Sequence, residues 1–145
     1  MNRDVSIEAL KIILSDIYVL SVMSQNAHWN MEGPSFFSLH QLFESQYKEL
    51  TVFIDDLAER IRALGDYVPA RMQDFHEMSR LDEALDLKEE LVALSTLTNA
   101  YQKLSILLQE HITEIEPNQD VVTCDMLTSL LAHVDKQTWL LKSHF

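Results

Sequence analysis

The chain has 145 residues, of which 47% are hydrophobic and 23% charged, values typical of a globular protein. Two glycines and three prolines are too few for the turns of an all-β sandwich or the glycine-rich crossovers of a doubly wound sheet. Eleven basic side chains against 23 acidic ones give a net charge of −12, which argues against a free basic surface for nucleic acid.

The first half of the chain predicts two long helices. Residues 4–31 carry apolar side chains at helical spacing, and residues 36–64 do the same. Gly33 is expected to end the first helix, and Ser35 to cap the second. Gly65 is expected to end the second helix.

The second half predicts two more long helices behind a long connection. Residues 66–86 form this connection, and a short amphipathic segment lies within it at residues 72–78. Long helices are predicted over residues 87–115 and 121–144, with a proline between them. A connection of this length lets the second and third long helices run parallel. The predicted fold is therefore all-α: one domain over residues 1–145, a four-helix bundle whose long crossover carries a short helix.

Two polar pairs lie beside the apolar stripe of the second helix. His40 with Glu44, and Asp55 with Glu59, are each four residues apart and therefore share one side of the helix. Imidazoles and carboxylates together suit first-row divalent metals, and iron where oxidants are handled. One such pair alone is usually a solvated face, and a lone His28 is usually a hydrogen-bonded core histidine. Together they favour a metal site, because ionisable groups without partners beside a core are costly.

Distance separates these residues into two groups. His40 and Asp55 are 15 residues apart on one helix, roughly 22 Å at 1.5 Å per residue, and His28 lies at the His40 end. One chain therefore cannot close a single metal site with all of them. Two antiparallel copies of the second helix, related by a two-fold axis, would bring the histidines of one subunit opposite Asp55 and Glu59 of the other. The ordinary ferritin pattern, Glu-x-x-His within one bundle, does not occur in this sequence, which also favours an intersubunit site.

Several motifs closely resemble the Dps family of miniferritins. They are Asn26-Ala27-His28-Trp29-Asn30, then Gly33, Phe36-Phe37, Leu39-His40, Phe43 and Tyr47, the run from Asp55 to Gly65, Asp125-Met126-Leu127-Thr128, and the run from Asp135 to Leu141. The resemblance covers essentially the whole chain. It implies a ferritin-like bundle that assembles as isologous dimers into a hollow homododecamer of tetrahedral symmetry. It also implies that this shell oxidises ferrous iron with hydrogen peroxide and stores the ferric mineral inside.

The resemblance also implies a set of iron ligands. The family's ferroxidase ligands match five positions of this sequence: His28, His40, Glu44, Asp55 and Glu59. Asp55 and Glu59 would come from the neighbouring subunit, so that the Fe(II)/Fe(III) site is shared. Glu44, which stands where many relatives carry aspartate, would complete the site or bridge to a second iron. Gln25 stands where some relatives carry a lysine, so any effect of that charge is absent here.

Three acidic residues are candidates for an entry pore. Glu116, Asp120 and Asp125 surround the start of the last helix, where relatives build acidic three-fold pores. Capping of that helix is the alternative, because acidic residues are favoured at a helix N-terminus in any case.

Three further side chains have simpler interpretations. Trp29 either anchors packing beside His28 or absorbs stray oxidising equivalents, as it can in relatives. Trp139 is expected in the core. Cys124 is expected to be a small buried residue, and as the single cysteine it suits a reducing compartment. The N-terminus shows no signal-peptide pattern, and no run of roughly 20 apolar residues occurs, so we expect a cytoplasmic protein without a membrane span.

Other functions remain open at this point. Many relatives compact DNA through a lysine-rich N-terminal tail, whereas here Arg3 is the single basic side chain before the first helix. A shell of twelve subunits would carry roughly −144, so direct DNA binding is not expected. The alternative is a nucleoid-associated, DNA-protecting protein with secondary iron binding. A purely structural bundle would take up no iron, and a further variant of the shell would use another metal or dioxygen.

Overall fold

Five α-helices organise the chain in this computed structural model, which describes residues 2–83 and 86–145. Positions 84 and 85 of the predicted crossover, and position 1, lie outside the described residues. The helices are α1 (Arg3–Asn30), α2 (Phe36–Ala63), α3 (Met72–Met78), α4 (Glu90–Ile115) and α5 (Val121–Lys142), with one 3-10 turn (Glu116–Asn118) between the last two. The all-α ferritin-like class is confirmed, and so is the short helix between the second and third long helices.

The core lies between the four long helices. α1 packs mainly against α2, α4 packs mainly against α5, and α1 also contacts α3 and α4. Aliphatic and aromatic side chains from all four long helices are fully buried, among them Leu10, Ile17, Phe43, Leu50, Tyr101, Leu104, Leu127 and Val134. Among the described residues, no helix is both long enough and apolar enough to cross a membrane.

The crossover is attached to the bundle by a buried carboxylate on α1. Asp16 accepts hydrogen bonds from the Arg80 backbone N–H at 2.6 Å and from Arg80 Nε at 3.0 Å. Arg80 Nη1 in turn lies 2.9 Å from His111 Nε2 on α4. Because the Asp16 carboxylate is fully buried, this ion pair joins the crossover firmly to α1 and α4.

The structure agrees with the prediction for the end of α2 but not with the prediction for its start. Gly65 follows α2 with a φ of +101°, as expected of a helix-ending glycine. Ser35 occupies the N-cap position of α2, but its side chain makes no capping hydrogen bond. Its backbone angles, φ −98° and ψ 23°, lie outside the extended conformation from which a cap side chain reaches the first turn. The prediction that Ser35 caps α2 is therefore wrong.

Trp139 also differs from the prediction, because it is 63% exposed and not in the core. The buried positions of α5 follow a spacing of three and four residues, at Leu127, Leu130, Val134, Gln137 and Leu141. At about 100° per residue, position 139 points roughly 200° away from Gln137. The neighbouring leucines suggested burial, but the helical phase turns this indole outwards.

Candidate metal centre

Two histidines lie against each other where α1 ends and α2 begins. The ring centroids of His28 and His40 are 3.8 Å apart and the rings are nearly parallel, at 15°. This contact was expected from the short turn between the two helices. Phe36 stacks on His40 with a centroid distance of 4.9 Å, and Tyr47 presents its edge to His28 at 5.5 Å. The imidazole pair is therefore enclosed by aromatic rings at the end of the bundle.

Reciprocal hydrogen bonds fix how the two imidazoles are oriented. His28 Nδ1 lies 2.7 Å from the His40 carbonyl oxygen, and His40 Nδ1 lies 2.6 Å from the His28 carbonyl oxygen. A carbonyl oxygen only accepts, so both Nδ1 atoms carry the hydrogen and donate it. In the neutral rings the lone pair is then on Nε2, and neither Nε2 has a hydrogen-bond partner in the part of the chain described. Metal-binding histidines are typically oriented in this way.

Glu44 lies one turn after His40 and is bound to a lysine. Glu44 Oε1 accepts a hydrogen bond from Lys48 Nζ at 2.7 Å. This bond and the positive charge of Lys48 lower the pKa of the Glu44 carboxyl. Glu44 is therefore ionised at neutral pH, and any metal that it binds must compete with Lys48.

Three carboxylates cluster at the far end of α2. Asp55, Asp56 and Glu59 each offer an oxygen, and these atoms all lie within 4.8 Å of one another on an exposed surface. Sequence reasoning missed Asp56, because only pairs four residues apart were considered. Its position three residues before Glu59 was the signal that could have identified it.

Within one chain the two groups do not meet. Fifteen residues of continuous helix separate His40 from Asp55, roughly 22 Å. Among the described residues, the histidine pair and Glu44 lie at one end of α2, and the acidic cluster lies at the other. Each chain therefore carries two candidate half-sites.

Exposed apolar side chains lie on the first two helices. Trp29 and Phe37 are 67% and 72% exposed beside the histidines, and Val52 is 62% exposed close to the acidic cluster. Trp29 does not anchor packing within this chain, so that interpretation would require a contact with another molecule.

The three predicted pore residues differ in their surroundings. Asp120 is buried, and it caps α5 by accepting a hydrogen bond from the Thr123 backbone N–H at 3.2 Å. It also pairs with Arg60 Nη2 at 2.8 Å. For Asp120, the structure thus shows helix capping, the alternative to a place at the entry pore. Its charge is also neutralised by Arg60. Glu116 and Asp125 are exposed, and their place at a pore stays a prediction.

Comparisons with known proteins agree with this architecture. A family model described as a ferritin-like domain matches residues 7–145. The chain is 32% identical over 143 residues to DNA protection during starvation protein 2 of Bacillus anthracis, covering 99% of this chain and 97% of that protein. It is 36% identical over 144 residues to an uncharacterized low temperature-induced protein of Nostoc sp., covering 98% of this chain and 80% of that one.

A solved structure also matches this chain over nearly its whole length. The crystal structure of a Dps protein from Bacillus brevis matches with a TM-score of 0.94 at 30% identity, covering 98% of this chain and 95% of that chain. The fold is thus that of a ferritin-like protein, a class of helical bundles that carry their metal chemistry on long helices. Within this class, the chain belongs to the Dps family of miniferritins.

The surroundings of Asp120 predict a pH-dependent contribution to stability. Burial alone would raise the pKa of Asp120, but the nearby Ser6 hydroxyl and the hydrogen bonds from Thr123 and Arg60 outweigh it and lower the pKa to about 2. The ionised carboxylate therefore stabilises the fold above about pH 4, and this contribution is lost as the pH falls towards 2. We expect Asp120→Asn, which keeps a capping side chain, to cost about 2 kcal/mol at pH 7 and little near pH 2.

Urea unfolding of the wild type and the variant between pH 2 and pH 7 measures this difference. Asp125→Asn is the matched control, because Asp125 is an exposed acid in the first turns of the same helix. It should change the unfolding free energy by about 0.5 kcal/mol or less. A difference between wild type and Asp120→Asn that stays constant over the whole pH range would contradict the assignment.

Proposed function

We propose that this chain is an iron-storage ferroxidase that oxidises Fe(II) with hydrogen peroxide. Its sites would be shared between two subunits, and the ferric mineral would be held inside a shell of twelve subunits. The observation that carries this proposal is the division of ligands along α2. His28 and His40 offer Nε2 lone pairs at one end, and Asp55, Asp56 and Glu59 offer carboxylate oxygens at the other.

The geometry of α2 supports a shared site. A straight helix cannot bring together groups roughly 22 Å apart on its own length. An antiparallel second copy of α2 supplies the missing half at each end and makes two equivalent sites per dimer. The exposed Trp29, Phe37 and Val52 support this contact, because a second subunit would remove their apolar surface from water.

The ligand set suits both oxidation states of the substrate iron. Neutral imidazole nitrogens bind Fe(II), and the negative charge of the carboxylates favours the Fe(III) product. Two Fe(II) ions would each give one electron to hydrogen peroxide, whose O–O bond breaks, and two protons complete two water molecules. Delivering both electrons at one site avoids the one-electron cleavage that releases hydroxyl radical. Glu44 would complete the site or bridge to the second iron after leaving Lys48.

The first prediction from this proposal concerns activity. His40→Ala removes a nitrogen ligand and Asp55→Ala removes an oxygen ligand, so each should slow peroxide-dependent Fe(II) oxidation by about tenfold or more. Stopped-flow absorbance of the ferric product, after anaerobic Fe(II) loading, measures the rate. Asp82→Asn, which removes an exposed acid of the crossover, is the matched control and should keep the wild-type rate.

Particle mass shows whether these variants still assemble. The wild type and each variant should sediment at about 200 kDa, as expected for twelve copies of a 16.8 kDa chain in a closed shell. Wild-type rates in both ligand variants, in particles of that mass, would show that the assigned residues are not the site.

DNA protection is the alternative function, and the name of the Bacillus anthracis relative favours it. We propose that protection would come from removing iron and peroxide in the cytoplasm, without direct contact with DNA. The net charge of −12 per chain repels phosphates.

A gel-shift assay with duplex DNA distinguishes direct binding from this indirect protection. In chelator at low salt we expect no shift at micromolar protein, because the like charges are screened least under these conditions. Addition of Mg²⁺ tests bridging by a divalent cation. A tight complex in chelator would contradict the proposal and favour a nucleoid-associated role.

A further inference from the structure

We propose that Glu90, in the first turn of α4, is a positioning residue for the two histidines of the metal centre. The proposal rests on the proposed function, in that it takes His28 and His40 to bind the metal. The Glu90 carboxylate lies outside the predicted ligand set. Its role would be to fix the start of α2, from which His40 projects.

The contact is a hydrogen bond between distant parts of the chain. Glu90 Oε1 accepts from the Ser35 backbone N–H at 2.6 Å, across 55 residues of sequence. Ser35 precedes the first residue of α2, and α2 has no side-chain cap of its own. The first N–H groups of a helix lack partners within the helix, and a carboxylate there also interacts favourably with the helix dipole. Glu90 thus gives the Ser35 N–H the acceptor that the N3 glutamate supplies in a capping box.

The turn before α2 is shaped to fit this carboxylate. Gly33 has a φ of +154°, and a Cβ built there would lie 2.7 Å from Glu90 Cβ and 3.0 Å from Glu90 Cδ. A side chain at position 33 would therefore collide with Glu90. The Glu32 backbone N–H also donates to the Lys88 carbonyl oxygen at 2.7 Å. The α1–α2 turn therefore rests directly on the start of α4.

A displacement of the α2 start would reach both imidazoles. His40 lies five residues after Ser35, and its ring is held between Phe36 on one face and His28 on the other. The His40 carbonyl oxygen also accepts from His28 Nδ1. A fraying first turn would thus move one ring and the carbonyl that orients the other. Groups that orient metal ligands typically change metal affinity by about tenfold to a hundredfold when removed.

Co²⁺ binding to the assembled shell tests this role, because the visible bands of Co²⁺ report its ligands directly. We expect Glu90→Ala to weaken Co²⁺ binding about tenfold or more, and Glu90→Gln to restore part of the affinity through its amide oxygen. Glu89→Ala is the matched control, because Glu89 is the adjacent exposed acid and its side chain makes no capping bond. In Fe(II) oxidation, Glu90→Ala should raise KM more than Glu90→Gln does, while kcat stays nearly constant in both variants.

The outcomes separate this proposal from the proposed function. If His40→Ala leaves Co²⁺ binding unchanged, the histidines hold no metal, and both proposals are wrong. If His40→Ala abolishes the visible bands but Glu90→Ala binds Co²⁺ like the wild type, only the role of Glu90 is overturned. If Glu90→Ala does not reach the wild-type particle mass, Co²⁺ binding is measured in Glu90→Gln and in Gly33→Ala, which disturbs the same contact from the turn. Wild-type Co²⁺ affinity in both of these variants would then overturn the role of Glu90.

Discussion

The length and stiffness of α2 determine how this protein can bind a metal. The helix has 28 residues and holds its imidazole end roughly 22 Å from its acidic end. Backbone hydrogen bonds along the helix prevent it from folding back, so the two ligand groups of one chain stay apart. The shared site that we propose therefore needs a second molecule to bring the imidazoles and the acidic cluster together. In this view, the metal centre is a property of the assembly and only half of it belongs to each chain.

The two half-sites have complementary chemistry. The histidines are oriented by backbone carbonyl oxygens and offer nitrogen ligands, while the nearby Glu44 carboxylate is paired with Lys48. The acidic cluster brings negative charge and lies exposed, where a lone cation is strongly hydrated. Because a metal bound between subunits would interact with the assembled state and not with separate chains, iron binding would also stabilise the assembly. Assembly and catalysis would then be linked through the same ligand residues.

Much of the fold could be predicted from local sequence, because apolar spacing and the scarcity of glycine and proline directly indicate long helices. The predicted start of the third long helix at residue 87 was three residues early, since the structure begins α4 at Glu90. Residues just before it instead contact the α1–α2 turn, where Glu32 and Glu89 form an isolated bridge. Contacts of this kind depend on tertiary structure and leave no periodic signal in the sequence.

Part of the candidate site could also be predicted from the sequence, and the contacts between distant residues could not. The contact between His28 and His40 follows from a short turn between two helices, and the separation from Asp55 follows from helical rise. The bond from Ser35 to Glu90 spans 55 residues and requires the bundle to be formed first, so no local pattern indicates it. The burial of Asp120 against Arg60 was also hidden, because an acidic residue before a helix has the same appearance whether it lines a pore or caps the helix.

Co-assembly of two inactive variants tests the shared site most directly. His28→Ala and Asp55→Ala subunits, unfolded together and refolded as an equal mixture, should form shells in which half of the dimers contain one of each. Every mixed dimer pairs one intact histidine half-site with one intact acidic half-site, so about a quarter of the sites should recover. The account predicts peroxide-dependent Fe(II) oxidation at about a quarter of the wild-type rate, with each variant alone at about a tenth of that rate or less. Mixed shells of wild-type mass that stay as inactive as either variant would contradict it.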